Sequence, residues 1–417
     1  MKGFFKTAAA WLSVGLATCA LAQDPANLLM PPPREVTYYD ATFHLDPQTV
    51  IVLAAGTEQE SAFAADQLAE RIEKLSGLKL QVLPEKDAGT RSHAILFGEI
   101  GRGGTTKQIA DRLPISSLME LGDEGYYLQV TDSLVVVLAN SSAGLFYGST
   151  SLAALLEGAN FDEIPGVTIY DWPVFRWRGV LCDFRHHQLP NLETLEQTVR
   201  HLSRYKLNTL LLDFGDVFRY ASHPKIAAGR GALDKKEVEE LQSFAAQRNV
   251  RIIPVIETAG DLPDILNLPE YRELAAFPGS SHLDLSKAET RTFLSEVSFE
   301  LCEAFASPYV VVKVSIPLAS PEAFAVVRRH LAFVLETLGK LNKKPILSFD
   351  MIHSGLPLAL DLPADALFFQ SRQSPEQLDF AVAERTLFVL PIADGTSLLP
   401  DIGARLLPLQ RAARSAA

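Results

Sequence analysis

Lys235-Lys-Glu-Val-Glu-Glu-Leu-Gln-Ser-Phe-Ala-Ala-Gln-Arg248 and, two residues on, Arg251-Ile-Ile-Pro-Val-Ile-Glu257 form the stretch on which the fold turns. It reads as a helix feeding a short apolar strand. The same rhythm runs outward in both directions from about Asp171. Further strands are expected at Gly179 to Asp183, Thr209 to Phe214, Tyr309 to Ile316, Pro345 to Asp350, Ala366 to Gln370 and Thr386 to Pro391. Further helices are expected at Leu192 to Tyr205, Lys287 to Phe305, Pro321 to Leu341, Pro375 to Val382 and Leu399 to Leu409. Strands that alternate with helices argue for βα units around a parallel sheet. Seven such strands with no glycine-rich phosphate loop favour a (β/α) TIM-type barrel over a doubly wound sheet. No eighth strand is legible, so the barrel reads as shortened at the C-terminus.

Before Asp171 the pattern differs. Val50 to Ala54, Leu78 to Leu83 and Ala94 to Phe97 read as strands, and Gly125 to Val130 with Ser133 to Leu138 as a hairpin. Between them, Glu60 to Ser76 carries Ala64, Leu68, Ile72 and Leu75 at helical spacing and is closed by Gly77. Gly144 to Leu156 is a second helix. A small α/β domain with a mainly antiparallel or mixed sheet is therefore expected over residues 23–168, followed by the barrel over 169–417.

The chain has 417 residues, 47% hydrophobic and 21% charged, with a net charge of -12. That composition is globular, and the negative charge disfavours nucleic acid as a partner. Three cysteines are too few for a disulfide scaffold, and Cys182 with Cys302 could pair but need not. Residues 1–22 read as a secretory signal: Lys2 and Lys6, an apolar run from Ala8 to Leu16, and Ala20-Leu-Ala22 before the cut. Export to the periplasm or beyond is expected. Two alternatives stand beside it, an uncleaved anchor and a lipobox-like Leu16-Ala-Thr-Cys19 that would lipidate Cys19. No later run is long and apolar enough to span a bilayer.

Barrel chemistry sits at the C-terminal strand ends. There the sequence places Asp183, Arg185, His186 and His187, then Asp213 and Asp216, then Glu257 and Asp261. Lys313, Asp350 with His353, Gln370 with Arg372, and Asp394 follow. A rim of mixed charge suits a neutral polyhydroxylated ligand, although loops of this kind are polar in any case. Adjacent histidines do not chelate one ion, so no metal and no cofactor are expected. Gly101-Arg-Gly-Gly104 lacks the setting of a nucleotide loop.

Several stretches resemble glycoside hydrolase family 20, the β-N-acetylhexosaminidases. Glu124-Gly-Tyr-Tyr-Leu-Gln-Val-Thr and Asn140-Ser-Ser-Ala-Gly-Leu-Phe-Tyr-Gly148 are similar to the family's small domain. Asp171-Trp-Pro-Val-Phe-Arg-Trp-Arg-Gly179 resembles its entry into the barrel, and Lys206-Leu-Asn-Thr-Leu-Leu-Leu-Asp213 its second strand. Val250-Arg-Ile-Ile-Pro254 resembles the third strand, and Lys343-Lys-Pro-Ile346 the approach to the fifth. The resemblance implies substrate-assisted hydrolysis. A Glu would serve as acid and base, and an Asp beside it would steady the acetamido group, both after the fourth strand.

This chain departs at those places. The fourth strand reads Tyr309-Val-Val-Val-Lys-Val-Ser-Ile-Pro-Leu318, with Lys313 where the family has His and Ile316 to Leu318 in place of the acids. Asp261 replaces a His, Ser348 and Ser371 stand where tryptophans are expected, and Arg185 falls one residue short of the family's sugar-binding arginine. Losing the acid removes a factor of roughly 10²–10⁴, and losing its partner roughly 10²–10³ more. The first reading is thus an inactive relative that binds glycan or a protein partner, with Arg185, Asp213, Asp216, Glu257 and Asp350 on sugar hydroxyls. The second is an active glycosidase built on non-standard carboxylates (Asp213, Glu257 and Asp350). The third is a structural or assembly protein, or a decaying gene product, with no ligand, whose open barrel edge a partner or a dimer mate would cover.

Overall fold

The computed structural model describes residues 29–89, 93–102, 104–114, 118, 120–158, 161–184, 191–228, 231–315, 321–348, 367–370 and 386–391. Seven strands build the first sheet: β1 (Glu35–His44), β2 (Val50–Leu53), β3 (Gln81–Pro84), β4 (Ala94–Glu99), β5 (Tyr126–Val130), β6 (Leu134–Ala139) and β7 (Glu163–Asp171). They lie in the order β1-β7-β5-β6-β4-β2-β3. The β2, β3, β4 and β6 contacts are parallel and the β1, β5, β7 side is antiparallel, so the sheet is mixed. The helices Glu58–Ser76 and Ser142–Gly158 pack on one face, sealing Ile51, Leu68, Ile72, Phe97, Leu128 and Leu155. Gly77 ends the first helix in the left-handed region, as a C-terminal glycine cap should. β1 and β7 are additions to the sequence reading, and β7 runs on past residue 168 to Asp171.

The second part is a ring of parallel strands: β8 (Arg178–Asp183), β9 (Thr209–Asp213), β10 (Arg251–Glu257), β11 (Tyr309–Lys313), β12 (Lys344–Ser348), β13 (Leu367–Gln370) and β14 (Thr386–Pro391). All seven strands read from the sequence are present. The ring closes because β14 pairs with β8, Phe388 opposite Arg178 through Pro391 opposite Leu181. Closure leaves no exposed edge between these strands, which removes the feature that had suggested a covering mate. The helices Leu192–Arg204, Lys235–Gln247, Ala288–Ala304 and Pro321–Lys340 match the sequence reading to within a residue or so at each end. The expected helices at 375–382 and 399–409 lie outside the described residues.

Period-two alternation sorts the strand residues. Val180, Leu210, Leu212, Ile252, Val310, Val312 and Leu347 belong to the layer between barrel and helices. Leu181, Leu211, Ile253, Val255, Val311 and Ile346 fill the barrel interior with Trp177 and Tyr309. Trp177 and Tyr309 lie edge to face at 5.0 Å, with the Arg251 guanidinium 4.6 Å from the indole. All three stand at the N-terminal strand ends, so they form the floor. The same alternation carried upward puts Asp183, Asp213, Glu257 and Lys313 at the mouth.

Polar side chains tie the two parts together. Arg178 and Asn208, at the starts of β8 and β9, both donate to the Glu124 carboxylate, at 2.6 and 2.9 Å. Buried Lys206 donates to Asp171 and to the Tyr126 hydroxyl, each at 2.8 Å. Among the described residues no helix is long and apolar enough to cross a membrane.

Candidate functional site

The mouth is built from the ends of β9, β10 and β11. Asp213 is fully buried, and its Oδ2 accepts from the Lys313 ammonium at 2.9 Å. This pair spans from β9 to β11 across the intervening β10. In a low-dielectric setting such a pair holds only with close geometry, because both ions have given up water.

Glu257 is equally committed. Its Oε1 accepts from the backbone N–H groups of Ala259, Gly260 and Ser315, each at 3.1 Å, and its Oε2 accepts from the Ser315 hydroxyl. Three amides and a hydroxyl converging on one carboxylate give an anchor for two loops, those after β10 and β11. Thr258 adds to it: its amide and its hydroxyl both donate to the Lys313 carbonyl, at 2.9 Å. Gly260 is required here, since a Cβ would come within 2.0 Å of the Ser315 carbonyl oxygen and 2.5 Å of the His282 ring.

Behind this junction stands His330 of the helix Pro321–Lys340. Its ring hydrogen-bonds the Thr258 backbone, and its Nε2 is buried with no partner. Burial pushes its pKa down to about 4 from 6.5, and the Arg291 charge adds to the shift. Beside the mouth, Asp216, Asp261 and Asp264 line a small recess with Gly215, Leu262, Pro263 and Ile265. Asp261 sits in the left-handed region at φ 54°.

Of the residues expected to touch ligand, Asp213, Asp216 and Glu257 therefore gather at one end of the barrel. Asp213 and Glu257 spend their carboxylates on internal partners, and Asp216 is one of the residues that line the recess. Arg185 and Asp350 lie outside the described residues, as do His186, His187, His353, Arg372, Asp394 and the segment 316–318. Ser315, Thr258 and His330 were passed over in the sequence. The one available signal was the glycine of Thr258-Ala-Gly-Asp261, set directly after a strand. Cys182 and Cys302 are unpaired and buried, and burial raises their thiols to about 12 and about 11, so neither is poised as a nucleophile. No group of three or more His, Cys, Asp or Glu side chains is placed to hold a metal among the described residues.

A mixed-sheet domain leading into a parallel barrel with a polar C-terminal mouth defines a two-part α/β architecture, and comparison with known proteins narrows it. Residues 27–172 match the family described as glycosyl hydrolase family 20, domain 2. Over 275 residues the chain is 25% identical to a beta-hexosaminidase of Porphyromonas gingivalis, spanning 60% of this chain and 32% of that protein. It is 30% identical over 178 residues to a beta-hexosaminidase of Vibrio furnissii, spanning 36% and 29%. The chain thus covers about a third of the length of these relatives. The solved GH20 β-N-acetylhexosaminidase of Streptomyces coelicolor A3(2) shares the fold at TM-score 0.67 and 21% identity, covering 94% of this chain and 74% of that one. The Streptomyces plicatus N-acetyl-β-hexosaminidase does so at TM-score 0.68 and 20% identity, covering 94% and 90%. The chain is a relative of glycoside hydrolase family 20.

Proposed function

We propose that this protein is an exported, catalytically silent family 20 relative that binds carbohydrate at the barrel mouth. The observation that carries the reading is Lys313 joined to Asp213, at a strand end where the resemblance calls for catalytic machinery. The sequence beyond it, Val314-Ser-Ile-Pro-Leu318, supplies no acid before Glu322. Glu257 is the acid nearest to hand, and four hydrogen bonds already occupy it. A general acid must reach the leaving oxygen of the substrate, and a carboxylate enclosed by amides does not. These commitments weigh against a glycosidase built on Asp213 and Glu257. Binding needs less, since it asks for no acid at the leaving oxygen: polar groups at a concave mouth suffice. Export rests on the charged start, apolar run and Ala-Leu-Ala cut site of residues 1–22.

Hydrolysis of an aryl N-acetyl-β-glucosaminide by purified protein tests the silence. No chromophore release above a protein-free blank is expected, and steady turnover overturns the proposal. N-terminal sequencing of material recovered outside the cytoplasm should begin near Gln23.

A further inference from the structure

The floor of the barrel, at the end away from the mouth, carries two arginines without counter-ions. Arg251 opens β10 and is exposed. Its guanidinium lies over two rings, 4.6 Å from the centre of Trp177 and 5.9 Å from that of Tyr309. Stacking of this kind uses a face of the guanidinium and leaves the N–H donors in its plane unspent. Among the described residues the Arg251 side chain makes no hydrogen bond and no ion pair. The rings therefore hold a charged fork in place without answering its charge.

Arg176 belongs to the same spot. Its carbonyl accepts from the Asn208 side-chain amide at 2.8 Å, and the Arg251 amide donates to the Asn208 carbonyl at 2.9 Å, so one residue ties both backbones together. Arg176 is exposed, and its side chain also makes no ion pair among the described residues. Burial lowers the Arg251 pKa from its usual range, and the Arg176 charge lowers it further against the pull of Tyr309 and Glu124. Glu124, whose field reaches Arg251, already spends its carboxylate on Arg178 and Asn208. Two like charges thus stand together on a chain whose net charge is -12. A bound anion would relieve that repulsion, and a planar carboxylate matches the fork of a guanidinium.

We propose that Arg176 and Arg251 form a carboxylate-binding site on the barrel floor, which docks a short acidic segment of a protein partner. A sugar finds no platform here, because Arg251 covers the Trp177 ring and that residue is only 4% exposed. A long polyanion meets the repulsion of the whole chain. A few adjacent Asp or Glu side chains meet the two forks alone. Val174, two residues before Arg176 and 43% exposed, adds apolar contact beside them. Arginine set among aromatic side chains is also the composition that carries binding energy in protein interfaces.

Calorimetric titration of the full chain at low salt with end-blocked hexaglutamate, and with hexaglutamine as its uncharged match, tests this. Hexaglutamate should bind and hexaglutamine should not, and added salt should weaken the complex. Arg176→Gln should weaken it by about ten-fold, the loss of one charge-assisted contact. Its unfolding midpoint should not change, since the side chain is exposed and in no ion pair among the described residues. Arg251→Lys keeps a charge on the floor but not the fork, and should also weaken binding. Lys107→Gln, which removes an exposed cation of the sheet domain, should change nothing. Failure of hexaglutamate to bind, equal affinity in wild type and Arg176→Gln, or an equal loss in Lys107→Gln overturns the site. Tetragalacturonate that binds as tightly, with the same dependence on Arg176, overturns the acidic peptide as its occupant.

Discussion

At the scale of single residues, the Lys313–Asp213 pair and His330 have consequences opposite in sign. Lys313→Met takes the ammonium away from a carboxylate with no exposure to water, at a cost of about 3–5 kcal/mol. Lys313→Met combined with Asp213→Leu should regain most of that, because the burial penalty then disappears with the charge. Urea denaturation of both variants checks the ordering. His330 acts through pH. Its folded pKa of about 4 lies below the ordinary 6.5, so between those values the unfolded chain binds more protons than the folded one. Its contribution is therefore complete above pH 6.5 and is lost as pH falls toward 4, at most about 3 kcal/mol in all. His330→Phe should flatten the acid limb of a stability-versus-pH curve measured by thermal melting. The sequence showed Lys313 in an unexpected place, but not its partner. That contact depends on the curvature that brings β9 and β11 together over β10, and residues one hundred positions apart carry no local trace of it.

At the scale of elements, the barrel strands were legible because each is a compact apolar run between helices. β1 was not, because Glu35–His44 is an edge strand with most of its residues exposed or half-exposed, so it lacks the buried alternation that marks a strand. β7 was hidden by Pro165-Gly166, which reads as a domain end although Pro165 sits opposite Thr42 next to a register shift, where a missing amide is tolerated. One helix end was legible through its cap, Gly77 after Glu58–Ser76. Asp234 and Glu237 form a reciprocal capping box on the helix Lys235–Gln247, and Asp234→Ala should cost about 1 kcal/mol in urea denaturation. The loop after β10 hangs on Glu257. Glu257→Gln exchanges a charged acceptor of three amides for a neutral amide, and about 2 kcal/mol is the expected loss. Limited proteolysis should then cut first between residues 258 and 283, a pattern that uniform destabilisation does not produce. None of this was visible in the sequence, where Glu257 read as a carboxylate free for ligand.

At the scale of the whole molecule, the sheet domain and the barrel share a buried polar seam. Lys206, with Asp171 and Tyr126, lies at its centre, and Arg178 and Asn208 on Glu124 extend it. A seam of this kind predicts one cooperative calorimetric transition for both parts. Lys206→Met leaves Asp171 without its ammonium at a cost of about 3–5 kcal/mol, and the single endotherm should separate into two. The floor of the barrel has an optical corollary. Trp172 and Trp177 are the tryptophans among the described residues, and Trp177 is sealed under the interior core beside Tyr309 and Arg251. Emission from the Trp177 indole therefore reports on the end of the barrel opposite the mouth. Saccharide added at the mouth should leave the emission spectrum unmoved, whereas unfolding should shift it strongly to the red.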